Sequence, residues 1–274
     1  MHAILPAPTA EVPTRPPAAR PAPTPPVRPE RRAPGRVLRS EYLRVASLSP
    51  GQRSDLSARL YAIYDETVRG VTQLELDTMI FGTDEGSLAL FYGAHDELVG
   101  FSFASIARVQ HEGRTFAVFV AGVLFRLGCR GGPTASLFGL RQALQFKLRH
   151  PRTPLAYFSR SSSPAAYRLV ASTMPRVYPN HIEEPSDQIV AVVRAASAQL
   201  KYVPTGDCPW VVRSGATPRD TSRLRLLKED PYTRFYLELN PRYAEGEALM
   251  VWIPLDAANI AGGLFRLLCA RLKR

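Results

Sequence analysis

The chain has 274 residues, 45% of them hydrophobic and 22% charged, with a net charge of +11. This composition is normal for a soluble globular protein, the basic balance attracts phosphate, nucleic acid or anionic membrane without choosing among them, and no apolar run reaches the roughly 18 residues that span a bilayer. No signal-peptide core is visible at the start. Cys129, Cys208 and Cys269 form no C-x-x-C pair and the five histidines show no ligand spacing, so neither a disulfide framework nor a metal site is expected and a reducing cytoplasm is the expected home.

Residues 1–36 hold eleven of the 25 prolines, with arginines at 15, 20, 28, 31, 32 and 36 against Glu11 and Glu30. Such a stretch buries too little apolar surface to offset chain entropy, so it reads as a disordered, cationic tail. It is either a passive solubilising arm or a tether to a protein partner or an anionic surface.

Globular patterning begins near residue 37 and continues to 274. Tyr42–Ser47 reads as a strand. Ser49-Pro50-Gly51-Gln52 has the residues of a capping box with proline at the first helical position, and Leu56, Leu60, Ile63, Tyr64 and Val68 repeat at helical spacing. A shorter helix is expected over Leu74–Ile80. Ser87–Tyr92, Asp96–Gln110 and Thr115–Phe125 read as three strands joined by short hairpin links. In the second, Val99, Phe101, Phe103, Ser105, Ala107 and Val109 alternate onto one face; the third is apolar on both faces, as a central strand would be.

An Arg/Gly-rich turn, Arg126 to Gly132, follows, and a helix is expected from Thr134 to about Arg149 with Leu137, Leu140, Leu144 and Leu148 as its apolar stripe. Leu155–Ser159 is the next strand, making a parallel crossover. Ser161-Ser162-Ser163-Pro164 opens another helix that ends at Met174-Pro175. Beyond it, Asp187–Lys201 reads as a helix, Val203–Arg213, Tyr232–Leu239 and Ala248–Leu255 as strands, and Asn259–Leu272 as a last helix.

A buried strand that feeds a glycine turn opening a helix is a device for holding an anion. Backbone N–H groups point out of the helix start and the helix dipole favours negative charge there. Arg126 and Arg130 would add charge-assisted bonds to phosphate. The alternative is that glycine serves the turn sterically and the arginines are ordinary surface residues.

The element order, with Arg130-Gly131-Gly132-Pro133-Thr134-Ala135 at the turn, resembles the GNAT acyltransferase superfamily. That resemblance covers about residues 41–175 and implies an α/β (α+β) fold: a mixed sheet, antiparallel meander then parallel crossover, flanked by helices, with a C-terminal strand and helix extension. The family's turn motif is Q/R-x-x-G-x-G/A. Arg130 fits its first position and Ala135 its last, with Pro133, which has no N–H, at the glycine; in the other register Arg126 comes first, Gly131 last, and Cys129 replaces the glycine.

The resemblance implies acyl-CoA as co-substrate and an unknown amine as acceptor. It implies cofactor contacts at Ala121, Val123, Arg126, Arg130, Gly131, Gly132, Thr134 and Ala135. It also implies that Tyr167, one turn into the following helix, protonates the departing thiolate; otherwise Tyr167 is a core aromatic. Where the family often has Asn and a small residue, this chain has Arg160 and Ser163.

Gly122 inside a strand suits either close ligand approach or relief of crowding. Glu112, Asp96, Glu75 and Asp77 offer no identifiable general base. Cys129, near a helix start, reads as a buried small residue rather than a nucleophile. The last helix carries Ile260, Leu264, Phe265, Leu267, Leu268 and Leu272 with Arg266, Arg271, Lys273 and Arg274, a basic amphipathic pattern; it is expected to pack on the core, the alternative being that it lies on an anionic membrane or docks a partner. No helix-turn-helix, zinc-finger or aromatic RNA-binding signature supports nucleic-acid binding. The second functional reading is a non-catalytic GNAT-like module with a degenerate cofactor loop.

Overall fold

A computed structural model describes residues 35–83, 85–129, 131–206, 208–219, 227 and 229–272. The expected tail lies outside the described residues except for Gly35 and Arg36. The elements run β1 (Arg39–Arg44), α1 (Pro50–Thr67), β2 (Val68–Arg69), α2 (Gln73–Phe81), β3 (Ser87–Tyr92), β4 (Leu98–His111), β5 (Arg114–Phe125), α3 (Gly132–Arg149), β6 (Leu155–Ser161) and α4 (Pro164–Thr173). There follow α5 (Asp187–Gln199), β7 (Val203–Pro204), β8 (Val211–Arg213), β9 (Thr217–Pro218), α6 (Pro231–Leu239), β10 (Glu247–Pro254) and α7 (Ala257–Leu272).

Eight strands form one sheet in the order β1-β3-β4-β5-β6-β10-β8-β7, and β2 pairs with β9 separately. Among the described residues only β5 and β6 run parallel; the other ladders are antiparallel. The fold is therefore mixed α/β, an antiparallel meander followed by a parallel crossover through α3. Strand β3 shows why helices lie on both faces. Its Leu88 and Leu90 pack with Leu60 and Leu76 of α1 and α2, while Ala89 and Phe91 pack with Phe138 and Phe146 of α3. Alternate residues of this strand thus feed two separate cores.

Local chemistry sets the helix starts. Ser49 and Gln52 form the expected capping box of α1, and Thr72 and Glu75 form a second at α2. Ser163 caps α4 through the Ala166 amide. The β4–β5 link is a tight two-residue turn in which Glu112 and Gly113 both take positive φ (48° and 72°), the pairing that matches strand twist.

Several sequence expectations are corrected. Strand β1 ends at Arg44, and Val45–Ser47 is a 3-10 turn. In β4 a register shift beside Phe91 and Tyr92 moves Val99 to the α3 side, opposite Phe101 and Phe103. The 203–213 stretch is two short strands paired as a hairpin, not one strand. Tyr232–Leu239 is helical, because Asp230 caps the Tyr232 and Thr233 amides and Pro231 opens the first turn. In α3 the buried side is Ala135, Phe138, Ala143 and Phe146; Leu137, Leu140, Leu144 and Leu148 face solvent. Helix α7 likewise does not bury its leucines. It packs through Gly262 and Gly263, which lie against Pro175 and Met174.

Candidate functional site

Strands β5 and β6 pair only over Ala117–Phe119 and Leu155–Tyr157. Beyond these residues β5 stays with β4 as far as Phe125, and β6 stays with β10 as far as Ser161. The two strands therefore part and leave a wedge in the middle of the sheet. Residues 120–125 form one wall and residues 158–161 the other.

Helix α3 begins at the β5 end of this wedge, since the Phe125 ring lies against Gly131, the residue just before the helix. Its first turn carries no side-chain cap. Early amides of a helix have no intrahelical partner, so an uncapped start presents N–H groups and positive dipole to whatever lies in front. Pro133 contributes no N–H to this set. Thr134 is half-buried and Ala135 is buried on Phe138 and its neighbours.

Two glycines of the region have steric causes. A Cβ on Gly131 would come within 2.2 Å of the Phe125 ring and 2.8 Å of Val37, and one on Gly122 within 2.4 Å of the Phe103 ring. Gly131 thereby lets the helix start press onto β5 and the chain before β1. The Gly122 carbonyl also accepts from Ser102 Oγ at 3.0 Å.

Ala121 and Val123 lie on β5 past the divergence. The Ala121 carbonyl receives the Tyr157 hydroxyl at 3.4 Å, a long bond across the wedge. The Tyr157 phenol is pushed up by burial, partly offset by Ser159. Arg126 turns inward: its guanidinium contacts the Glu66 carboxylate of α1 and donates to the Leu98 carbonyl at 2.9 Å, with Glu97 at 3.9 Å. Arg130 lies outside the described residues.

Tyr167 is fully buried against Phe235 and Tyr236, and its hydroxyl donates to the Pro179 carbonyl at 2.8 Å. Burial drives its pKa up. Cys129 is partly buried, and desolvation is the largest influence on its thiol, raising its pKa. The structure thus gathers Ala121, Val123 and the start of α3 at one end of β5. It binds Arg126 to α1 and sets Tyr167 in the core beside α6.

The carboxylates considered as bases have other partners. Glu75 is lowered by the Thr72 amide and hydroxyl of its capping box, and Asp77 accepts from Ser57 at 2.7 Å. Asp96 holds Arg39 at 3.1 Å.

Two residues of β6 flank the wedge: Tyr157, which sequence reasoning missed, and Arg160, which it marked only as standing where the family often has Asn. Tyr157, described above, looks like any core aromatic in sequence. Arg160 lies past the divergence, its guanidinium 4.5 Å from the Tyr202 ring centre and 3.4 Å from Met79 Sδ. It makes no carboxylate ion pair among the described residues. Its charge pulls down Tyr64, which burial pushes up to about 12. An arginine within Leu155-Ala156-Tyr157-Phe158-Ser159-Arg160-Ser161, an otherwise uncharged strand, was the available signal.

No protein-family model matches this sequence, and no curated protein does. Among solved structures the chain is similar to Escherichia coli ElaA at TM-score 0.31 and 15% identity, over 53% of this chain and 93% of that one. It is similar to an acyl-CoA N-acyltransferase from Pseudomonas aeruginosa at TM-score 0.30 and 12% identity, over 62% and 91%. A GNAT-family acetyltransferase from Streptococcus pneumoniae aligns at TM-score 0.32 and 14% identity, over 54% and 94%. By its own strand order and its β5–α3–β6 crossover, the chain is a mixed α/β fold.

Proposed function

We propose that this chain is an N-acyltransferase of GNAT type, moving an acyl group from acyl-CoA or a related acyl thioester to an amine. One observation carries the reading: a parallel strand pair that parts after Phe119 and Tyr157, with an uncapped helix start at the same end. An extended thioester arm can add to the β5 edge at Ala121 and Val123, as a peptide adds to a sheet edge. The amides of Gly132 and Thr134 would face its diphosphate. In this reading Arg126 positions the end of β5 through Glu66 and Leu98 rather than meeting phosphate. Tyr157 and Arg160 flank the wedge; a phenol there can give up its proton, and a guanidinium can stabilise developing negative charge.

A second reading, a binding module without turnover, is favoured by the internal commitments of Arg126 and of the Tyr167 hydroxyl. Thr134→Glu tests the proposed site. A carboxylate in the first turn of α3 complements the dipole, so the protein alone should gain about 0.3–1 kcal/mol. The same charge repels a diphosphate, so thermal stabilisation by acetyl-CoA and longer acyl-CoAs should fall. Thiol release from acyl-CoA with an amine panel separates enzyme from binding module. No stabilisation of the unmodified protein by any acyl-CoA at millimolar concentration would remove both the site and the activity.

A further inference from the structure

Helix α7 presents an apolar face that nothing described covers. Leu264, Phe265, Leu268 and Leu272 are 52%, 67%, 59% and 87% exposed. At the helical angular step these four fall within an arc of roughly 100°. Gly262, Gly263 and Arg266 fall on the opposite side, and these touch the body: the glycines meet Pro175 and Met174, and Arg266 donates to the Met174 carbonyl at 3.1 Å. The helix is thus seated through its small residues, with its leucines turned outward.

Its charges are all of one sign. From Ala257 to Leu272 there is no acidic residue, while Arg266 and Arg271 lie in the helix and Lys273 and Arg274 follow it. Asp256, just before the helix, is held by Arg176 at 2.5 and 2.6 Å, so it does not offset them. Two copies meeting through this face would bring like charges together. A wide Leu/Phe arc with only arginine and lysine as charges is the composition of helices that lie in a bilayer interface.

We propose that α7 docks the protein on an anionic lipid surface, inserting Leu264, Phe265, Leu268 and Leu272 among the acyl chains and drawn there by a helix whose charged residues are all basic. No described helix is long and apolar enough to cross a membrane, so the attachment is peripheral. It is independent of the acyltransferase reading.

Flotation of the full chain with phosphatidylcholine vesicles, with and without phosphatidylserine, tests the proposal. Binding is expected only with phosphatidylserine and should weaken at high salt. Leu264→Ser with Leu268→Ser should lower partitioning about a hundredfold, since each leucine withdrawn from hydrocarbon is worth roughly tenfold. Both sites are exposed, so the thermal midpoint should not change. Absence of flotation with anionic vesicles would overturn the proposal. So would flotation that survives the double variant, which would place binding elsewhere on the basic chain. A dimer in sedimentation that this variant dissociates would overturn it too, by making a second copy the occupant; capture by an acidic protein with no vesicle binding would do the same.

Discussion

Replacing Tyr167 by phenylalanine removes one oxygen from the centre of the fold and separates two roles for that residue. The ring is fully buried, and its hydroxyl supplies a 2.8 Å bond to the carbonyl of Pro179, itself buried. Phenylalanine keeps the packing on Phe235 and Tyr236 and leaves the carbonyl without this donor. An unsatisfied buried acceptor costs about 1–3 kcal/mol. In a domain of this size each kcal/mol moves the thermal midpoint by about 2–4 °C. Urea unfolding should therefore show a lower midpoint at unchanged slope, because the surface exposed on unfolding is the same. Turnover per folded molecule should be retained. An unchanged urea midpoint would refute the structural role. A loss of turnover beyond about tenfold in a protein of unchanged stability would show that the hydroxyl serves chemistry instead.

Other outcomes follow from single contacts. Gly262→Ala should destabilise by about 1–3 kcal/mol despite alanine's better helix propensity, because its Cβ would come within 2.5 Å of the Pro175 ring; a higher melting point would show that α7 is not seated as described. Asp230 is pushed up by burial, but the Arg168 guanidinium at 2.7 Å and the Thr233 and Tyr232 amides outweigh that and leave its pKa below the ordinary carboxylate value. A lowered folded pKa means this stabilisation is present above the unfolded pKa and is lost as pH falls through the folded one. Asp230→Asn should therefore flatten stability against pH across that acid range, and an unaltered pH profile of the denaturation midpoint would count against the Arg168 pairing. Ser49→Ala should cost about 1 kcal/mol through the α1 cap, measured by denaturant midpoint.

Much of the architecture was legible because it is local. The serine, proline and glutamine at the start of α1 satisfy that helix's own first amides, so Ser49 and Gln52 announce it without reference to the rest of the chain. Strand β3 alternates between two buried faces, and the apolar run of β5 signals a central strand in the same way. The capped start of α6 is equally local, written in Asp230-Pro231, but the aromatic-rich sequence of Tyr232–Leu239 suits a strand as well.

What only tertiary structure decided was direction and partnership. Helical spacing placed Leu137, Leu140, Leu144 and Leu148 on one face of α3, but not which face the sheet covers; Phe138 and Phe146 fill that space and the leucines are left outside. The same holds for α7, whose glycines allow a closer approach to Met174 and Pro175 than its leucines would. Arg126 stands in a glycine-containing turn before a helix, and only folding shows that Glu66, 60 residues away, engages it. The wedge between β5 and β6 has no sequence mark, because strand pairing is a relation between distant segments. Periodicity along one chain reports which residues travel together, while the partner each group meets depends on contacts the chain makes after it closes on itself.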